Sequence, residues 1–176
     1  MLLKSPQSLR SSSGRMGLLV LLTAVAVILT ALAFEHLGGY SPCPLCLQQR
    51  YSYYAAIPAL LLALGLLSAG RKGAASALFA LVALAFVANA ALGTYHAGAE
   101  WKIWPGPDTC GGSQPLSQGA GGLFKDLAST RVIRCDEAAW RFLGLSFAGW
   151  NVIASILLAI GAAYAGVTAR SPQGPG

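Results

Sequence analysis

Four long stretches of the chain contain no Asp, Glu, Lys or Arg, and they restrict the possible folds more than any other feature. They cover residues 17–34, 51–69, 74–92 and 147–167. At about 1.5 Å per residue, each would form a helix roughly 27–32 Å long, which matches the hydrocarbon thickness of a bilayer. Only 10% of the residues are charged, whereas a typical soluble domain has about a quarter. One such stretch could be a buried helix of a soluble protein, but four predict an all-α membrane protein, a four-transmembrane-helix bundle.

The first stretch has an alternative interpretation as a cleavable signal peptide. Lys4, Arg10 and Arg15 precede it, and residues 31–33 read Ala-Leu-Ala, as at a cleavage site. Its apolar part exceeds the usual signal-peptide length of about 7–15 residues, which favours an uncleaved helix. We therefore expect a cytoplasmic tail over residues 1–16, a membrane domain over 17–167 and a disordered cytoplasmic tail over 168–176.

The distribution of charge predicts which side of the membrane each loop occupies. An even number of crossings puts both termini and the turn at 70–73 on one side, and the loops at 35–50 and 93–146 on the other. Each side has six Lys and Arg residues. Their density differs, however, because the terminal side has only 29 residues and the opposite side has 70. This density predicts cytoplasmic termini. All six acidic residues fall on the opposite side, so the net charge of +6 indicates contact with anionic lipid in the bilayer, and no nucleic-acid partner.

All four cysteines lie on the predicted non-cytoplasmic side. Cys43 and Cys46 are in the first outer loop, and Cys110 and Cys135 are in the last one. Cysteines kept away from the reducing cytosol are expected to form disulfides. The two loops are therefore predicted to carry redox-active cysteines, although two inert structural disulfides are an open alternative.

The segment Ser-Pro-Cys-Pro-Leu-Cys-Leu-Gln-Gln-Arg at residues 41–50 has the composition of a redox site. A C-x-x-C disulfide closes a small, easily reduced ring, which suits exchange. Cys46 is expected at or just before the start of the second membrane helix, where free backbone N–H groups favour a thiolate. Arg50 follows one turn later on the same face and could donate hydrogen bonds to an electron-poor oxygen. Alternatively, Arg50 only reaches towards lipid headgroups.

Other sites built from these residues are less consistent with the sequence. A zinc site would need paired C-x-x-C motifs or closely spaced histidines, and His36 and His96 are isolated. Haem attachment would need a histidine directly after Cys46, where the chain has Leu47. His96 could contact a headgroup or a ligand carbonyl at the membrane boundary. Asn89 is predicted to join helices, and the four tryptophans to lie at the interface.

The chain resembles the disulfide bond formation protein B (DsbB) family in several features taken together. These are the four spans, the distant cysteine pair, and the segments FEHLGGYSPCPLCLQQR and CDEAAWRFLGLSFAGW. The resemblance runs from about residue 17 to 167. It implies a quinone-dependent thiol oxidoreductase of the bacterial inner membrane. Such an enzyme reoxidises a periplasmic DsbA-like dithiol oxidase and passes the electrons to the membrane quinone pool, as ubiquinone or menaquinone.

The resemblance also implies roles for individual residues. Cys110 and Cys135 correspond to the pair that reacts with the soluble partner, and Cys43 and Cys46 to the pair that passes electrons on. Arg50 corresponds to the quinone-contacting arginine, and His96 to a histidine near the quinone. The sequence departs from better-known members at Pro44 and at Leu-Gln-Gln before Arg50. Separately, Leu116, Leu123, Phe124 and Leu127 indicate a short membrane-surface helix near residues 116–128, which glycines interrupt.

Two other functions were considered. A reductase of the vitamin K epoxide type usually carries its C-x-x-C on a later helix and its loop pair earlier, so the order of motifs disfavours it. A disulfide-stapled structural or transport-related membrane protein is the alternative from another class.

Overall fold

The computed structural model describes residues 11–106 and 135–170, and four long helices dominate that part of the chain. They are α1 (Ser12–His36), α2 (Pro44–Ser68), α3 (Lys72–Glu100) and α4 (Phe147–Arg170). All four are long and apolar enough to cross a membrane. The predicted four-helix membrane fold is therefore confirmed. Cys110 and the expected surface helix at 116–128 lie outside the described residues, as does most of each predicted tail.

Two helices extend well beyond the apolar stretches that predicted them. α2 begins at Pro44 rather than at residue 51, with Pro44 in its first turn and Cys43 as N-cap. Proline is favoured there because its missing N–H would have no partner in the helix. α3 continues to Glu100 rather than ending at residue 92. As a result, Cys46, Arg50 and His96 lie on helices, where their directions are fixed, and not in loops.

The helices form a closed bundle in which each one packs against two neighbours. The packed pairs are α1–α2, α2–α3, α3–α4 and α1–α4. Phe79 and Phe86 of α3 and Leu60 of α2 are fully buried at the centre. Many large apolar side chains point outwards instead, including Leu19, Leu62, Leu84 and Leu157. An apolar exterior is what a bundle surrounded by lipid requires.

A short hairpin leads into the last helix. Strand β1 (Arg141–Phe142) pairs antiparallel with β2 (Leu145–Ser146). Leu143 and Gly144 form the turn with φ of 51° and 82°, and positive φ at both positions is the hairpin geometry that matches strand twist. The Ser146 hydroxyl then accepts a hydrogen bond from the backbone N–H of Gly149 at the start of α4. Strands this short leave no periodic pattern, so the sequence analysis did not predict them.

Close contact of α1 with the bundle core gives a stability prediction at Gly17. A Cβ atom added there would lie 2.8 Å from the Phe79 ring, whereas one at Gly65 would meet no atom within 4 Å. We expect Gly17→Ala to destabilise the bundle by about 1–3 kcal/mol, the usual cost of overpacking. Gly65→Ala should be neutral or slightly stabilising, because alanine favours helix. Unfolding of both variants in detergent by heat or SDS measures this, and equal stability would contradict the packing described.

Candidate active site

The C-x-x-C motif forms the N-terminal cap of α2. The Cys43 sulfur accepts a hydrogen bond from the backbone N–H of Cys46, with an Sγ–N distance of 3.2 Å. The thiol thus occupies the place usually taken by a serine or aspartate oxygen. Both cysteines are free thiols, and their sulfur atoms lie 2.9 Å apart. Local sequence therefore builds a dithiol whose two sulfurs face each other at the end of a helix.

His96 approaches this dithiol from the neighbouring helix α3. Its Nε2 atom lies 3.5 Å from the Cys43 sulfur, and its side chain is buried. The hydrogen bond from the Cys46 thiol holds the pKa of Cys43 well below its ordinary value, against the opposing effect of burial. His96 and the Cys46 backbone N–H lower the pKa further. Cys43 is therefore the sulfur of the free pair that best carries a negative charge.

This differs from the expectation that the helix start favours a thiolate at Cys46. The expectation failed because Pro44 occupies the first helical position, which makes Cys43 the N-cap. The free N–H groups of the first turn point back towards the N-cap side chain. Cys46 is one turn further along and receives no such bond among the described contacts.

Cys135 lies against the dithiol, although it comes 89 positions after Cys46 in the sequence. Its side chain is 1% exposed and packs with Cys43 and Leu45, with Cys46 and Leu92 at the edge of the same cluster. Cys135 is disulfide-bonded. A cysteine of the last outer loop therefore lies next to the cysteine pair of the first, as thiol exchange between the loops requires.

Arg50 pairs with Glu35 at the end of α1. The guanidinium Nη1 donates to the Glu35 carboxylate, and the side chains of Arg50 and Glu35 are only 12% and 25% exposed. Such burial argues against an arginine that simply extends to lipid headgroups. No role for Glu35 follows from the sequence, because nothing near it in the chain indicates a partner at Arg50.

A cavity of about 760 Å³ lies beside the dithiol and is walled mainly by apolar side chains of α1 and α4. Cys46, Arg50 and His96 are among its polar lining residues, as are Gln49 and Asn151, and Trp140 and Phe147 contribute aromatic side chains. Trp140, which is predicted to lie at the membrane interface, packs against Phe34, Phe142 and Phe147. The cavity can accept a flat apolar ring close to the sulfur of Cys46 and the donors of Arg50.

Several buried polar residues around His96 were missed by the sequence analysis. Gln49 contacts the Nδ1 atom of His96 at 2.9 Å and accepts a bond from Asn151 of α4. Glu100 lies 3.7 Å from the other ring nitrogen of His96 and is bonded to Ser146. A buried glutamine one turn from Cys46 and an asparagine inside the last apolar stretch were the available signals. Asn89 does join helices, as predicted, by donating to Ser155 at 2.9 Å.

The same residues could also ligate a soft metal ion. The sulfurs of Cys43 and Cys46 and a ring nitrogen of His96 lie within 4.8 Å of one another. Such a set was not expected from the sequence, because His96 is distant along the chain and only the fold brings it to the cysteines. Three ligands leave one tetrahedral position open, so these residues do not form a closed structural zinc site.

Comparison with known proteins agrees with this architecture. The family model described as "Disulfide bond formation protein DsbB" matches residues 13–165. A disulfide bond formation protein B of Aromatoleum aromaticum is 33% identical over 73% of this chain and 77% of its own length. One of Marinobacter nauticus is 31% identical over 81% of this chain and 86% of its own length. No solved structure matches the chain.

The fold and the site define a multi-pass membrane protein with a pair of free thiols where a membrane helix begins. The chain belongs to the DsbB family of disulfide bond formation proteins. It is accordingly a disulfide-forming oxidoreductase that acts in protein folding.

Proposed function

We propose that this protein reoxidises a periplasmic DsbA-like dithiol oxidase and passes the electrons to membrane quinone. The contact that carries the proposal is the burial of Cys135 against Cys43, next to a cavity that contains Cys46 and Arg50. This arrangement provides a thiol-exchange centre and an adjoining site for an apolar acceptor. The four cysteines are the proposed catalytic residues, and Arg50 and His96 the proposed acceptor-binding residues.

The first half of the reaction is a series of thiol–disulfide exchanges. A thiolate of the reduced partner attacks Cys110, forms a mixed disulfide and releases Cys135 as a thiolate. Cys135 attacks Cys43 of the Cys43–Cys46 disulfide, which joins the two loops and releases Cys46. The partner's second thiol then attacks the partner sulfur that is bonded to Cys110 and releases Cys110 as a thiolate. Cys110 attacks Cys135, which re-forms the Cys110–Cys135 disulfide, breaks the Cys135–Cys43 bond and releases Cys43. The partner leaves oxidised, and Cys43 and Cys46 hold the two electrons.

The second half of the reaction needs an acceptor beside Cys46. A quinone fits the cavity by its volume, its aromatic walls and the hydrogen-bond donors of Arg50, and it would supply a two-electron, two-proton acceptor. Arg50, held in place by Glu35, would stabilise the negative charge that develops on the ring oxygen. Cys46 loses its electrons as the Cys43–Cys46 disulfide closes again.

Purified protein, a reduced DsbA-like dithiol and a soluble ubiquinone or menaquinone analogue provide the direct test. We expect quinone absorbance to fall only when all three are present, with one disulfide formed in the partner for each quinone consumed. A pure protein that oxidises the dithiol but leaves both quinones unchanged would refute the quinone assignment. A disulfide-stapled structural protein would consume neither substrate.

Orientation in the bacterial inner membrane is the other part of the proposal. The density of basic residues at the termini and at the turn between α2 and α3 supports cytoplasmic termini. Single cysteines placed at Ser11 and at Ser41, in a chain without its own cysteines, would report the two sides. We expect an impermeant maleimide to label the residue at 41 in intact spheroplasts and the residue at 11 only after lysis. The reverse pattern would overturn the assignment.

A further inference from the structure

A chain of partly or fully buried side-chain hydrogen bonds connects three helices and ends at His96. Tyr53 of α2 donates its O–H to the Asn151 Oδ1 atom of α4 at 2.7 Å. Asn151 Nδ2 then donates to Gln49 Oε1 at 2.5 Å. Gln49 Nε2 completes the chain at His96 Nδ1, 2.9 Å away. In this series of hydrogen bonds, the side-chain amides of Asn151 and Gln49 each accept through the oxygen and donate through the NH₂ group.

One further contact decides which atom donates and which accepts in each of these hydrogen bonds. Gln49 Nε2 also lies 3.3 Å from the backbone carbonyl oxygen of Leu45. Because a carbonyl oxygen can only accept, the Gln49 atom facing it must be the NH₂ group. The same NH₂ group faces His96 Nδ1, so that ring nitrogen must accept and cannot carry a hydrogen.

The remaining ring nitrogen must therefore hold the proton. Nε2 of His96 faces the Cys43 sulfur at 3.5 Å and the Glu100 carboxylate at 3.7 Å. Both neighbours accept hydrogen bonds, so a proton on Nε2 satisfies this side of the ring. The hydrogen bond made by one ring nitrogen generally decides the state of the other.

We propose that Gln49, oriented by Asn151 and Tyr53, is a positioning residue that holds His96 as the Nε2–H tautomer facing the Cys43 sulfur. In this state His96 donates to Cys43 whenever that sulfur becomes a leaving thiolate. The consequence for turnover rests on the proposed function, whereas the tautomer is a property of the protein alone. The family resemblance placed only His96 near the acceptor and left Gln49 and Asn151 without roles.

Nitrogen-15 NMR of histidine-labelled protein in detergent micelles or nanodiscs measures the tautomer directly. Long-range proton–nitrogen correlations distinguish Nε2–H from Nδ1–H rings, and the chain has only two histidines. A His36→Gln variant assigns the signals. We expect the wild-type His96 ring to carry its proton on Nε2. A wild-type ring protonated on Nδ1 would overturn the proposal, whether or not any variant folds.

Gln49→Glu and Asn151→Asp test the control exerted by the chain. Glutamate at 49 replaces the donor to Nδ1 with an acceptor, so the ring should gain a proton on Nδ1. Aspartate at 151 has no hydrogen to donate, so the Gln49 amide should turn and produce the same change from a more distant position. Ser76→Ala is the control, since Ser76 is a buried polar residue of α3 whose hydroxyl donates to the Gly166 carbonyl and contacts none of these four side chains. It should leave the tautomer unchanged.

Turnover provides a second measurement. We expect Gln49→Glu to lower kcat by about 10- to 100-fold, the range known for groups that orient metal-bound histidines. An unchanged His96 tautomer in both variants would contradict the proposal. A wild-type protein with the Nε2–H tautomer but no quinone turnover would refute the proposed function and leave this inference supported.

Discussion

Cys46→Ser is expected to reduce thiol-dependent quinone consumption to the rate measured without enzyme. Cys46 is the cysteine of the pair that lines the cavity beside Arg50, and serine cannot form the Cys43–Cys46 disulfide. Cys43 remains as a thiol packed against the disulfide-bonded Cys135. Because His96 and the backbone N–H of residue 46 still lower its pKa, Cys43 should attack Cys135 and form a stable Cys43–Cys135 bond, which releases the former partner of Cys135 as a thiol.

Quinone absorbance and mass spectrometry together measure this result. Proteolysis without reductant should yield a peptide pair joined through Cys43 and Cys135. Gln48→Ser is the matched control, because Gln48 is exposed on the same turn of helix and should keep wild-type turnover. Retained turnover in Cys46→Ser would show that the acceptor takes its electrons elsewhere.

Arg50→Ala is expected to lower kcat for quinone reduction by about 10²- to 10³-fold, the usual effect of removing a donor to a developing oxyanion. Exchange between the partner and the cysteines should continue, because Arg50 contacts Glu35 and not the sulfur cluster. Single-turnover oxidation of the dithiol and steady-state quinone consumption separate the two steps. Arg71→Ala, at the exposed N-cap of α3, is the control and should have wild-type kinetics.

A second variant excludes an indirect effect through Glu35. Arg50→Ala leaves the Glu35 carboxylate without its cation, and an unpaired, partly buried charge could distort the cavity. The double variant with Glu35→Gln removes that charge. If Arg50 acts on the acceptor, the double variant stays as slow as Arg50→Ala. Recovery of turnover in the double variant would instead assign Arg50 a purely structural role.

The regions that the sequence predicted well are those governed by local physics. A helix that crosses a bilayer needs about 20 apolar residues in succession, so the four stretches identified four of the helices. The predicted ends of the helices were less accurate. The start of α2 at Pro44 and the end of α3 at Glu100 fall in polar sequence, where helix continues because tertiary contacts bury one face.

The candidate site was predicted only in part. The C-x-x-C spacing and the position of Arg50 one turn later are visible in the sequence. Cys46 and Arg50 both line the cavity, as two residues four positions apart on a helix should. The thiolate was assigned to Cys46 because the sequence did not reveal which cysteine would cap the helix. Glu35, Gln49 and Asn151 were missed because their partners lie on other helices.

By itself, the sequence determined the number of membrane helices, the separation of the cysteines from the basic turn and the pairing of a dithiol with an arginine. Each of these depends on residues close together in the chain. The tertiary structure alone decided that Cys135 lies on Cys43, that Glu35 holds Arg50 and that His96 faces the sulfur with Gln49 behind it. These contacts depend on how each helix is rotated about its axis and on which neighbour it packs against. Four apolar stretches of similar composition do not reveal either the rotation or the neighbour.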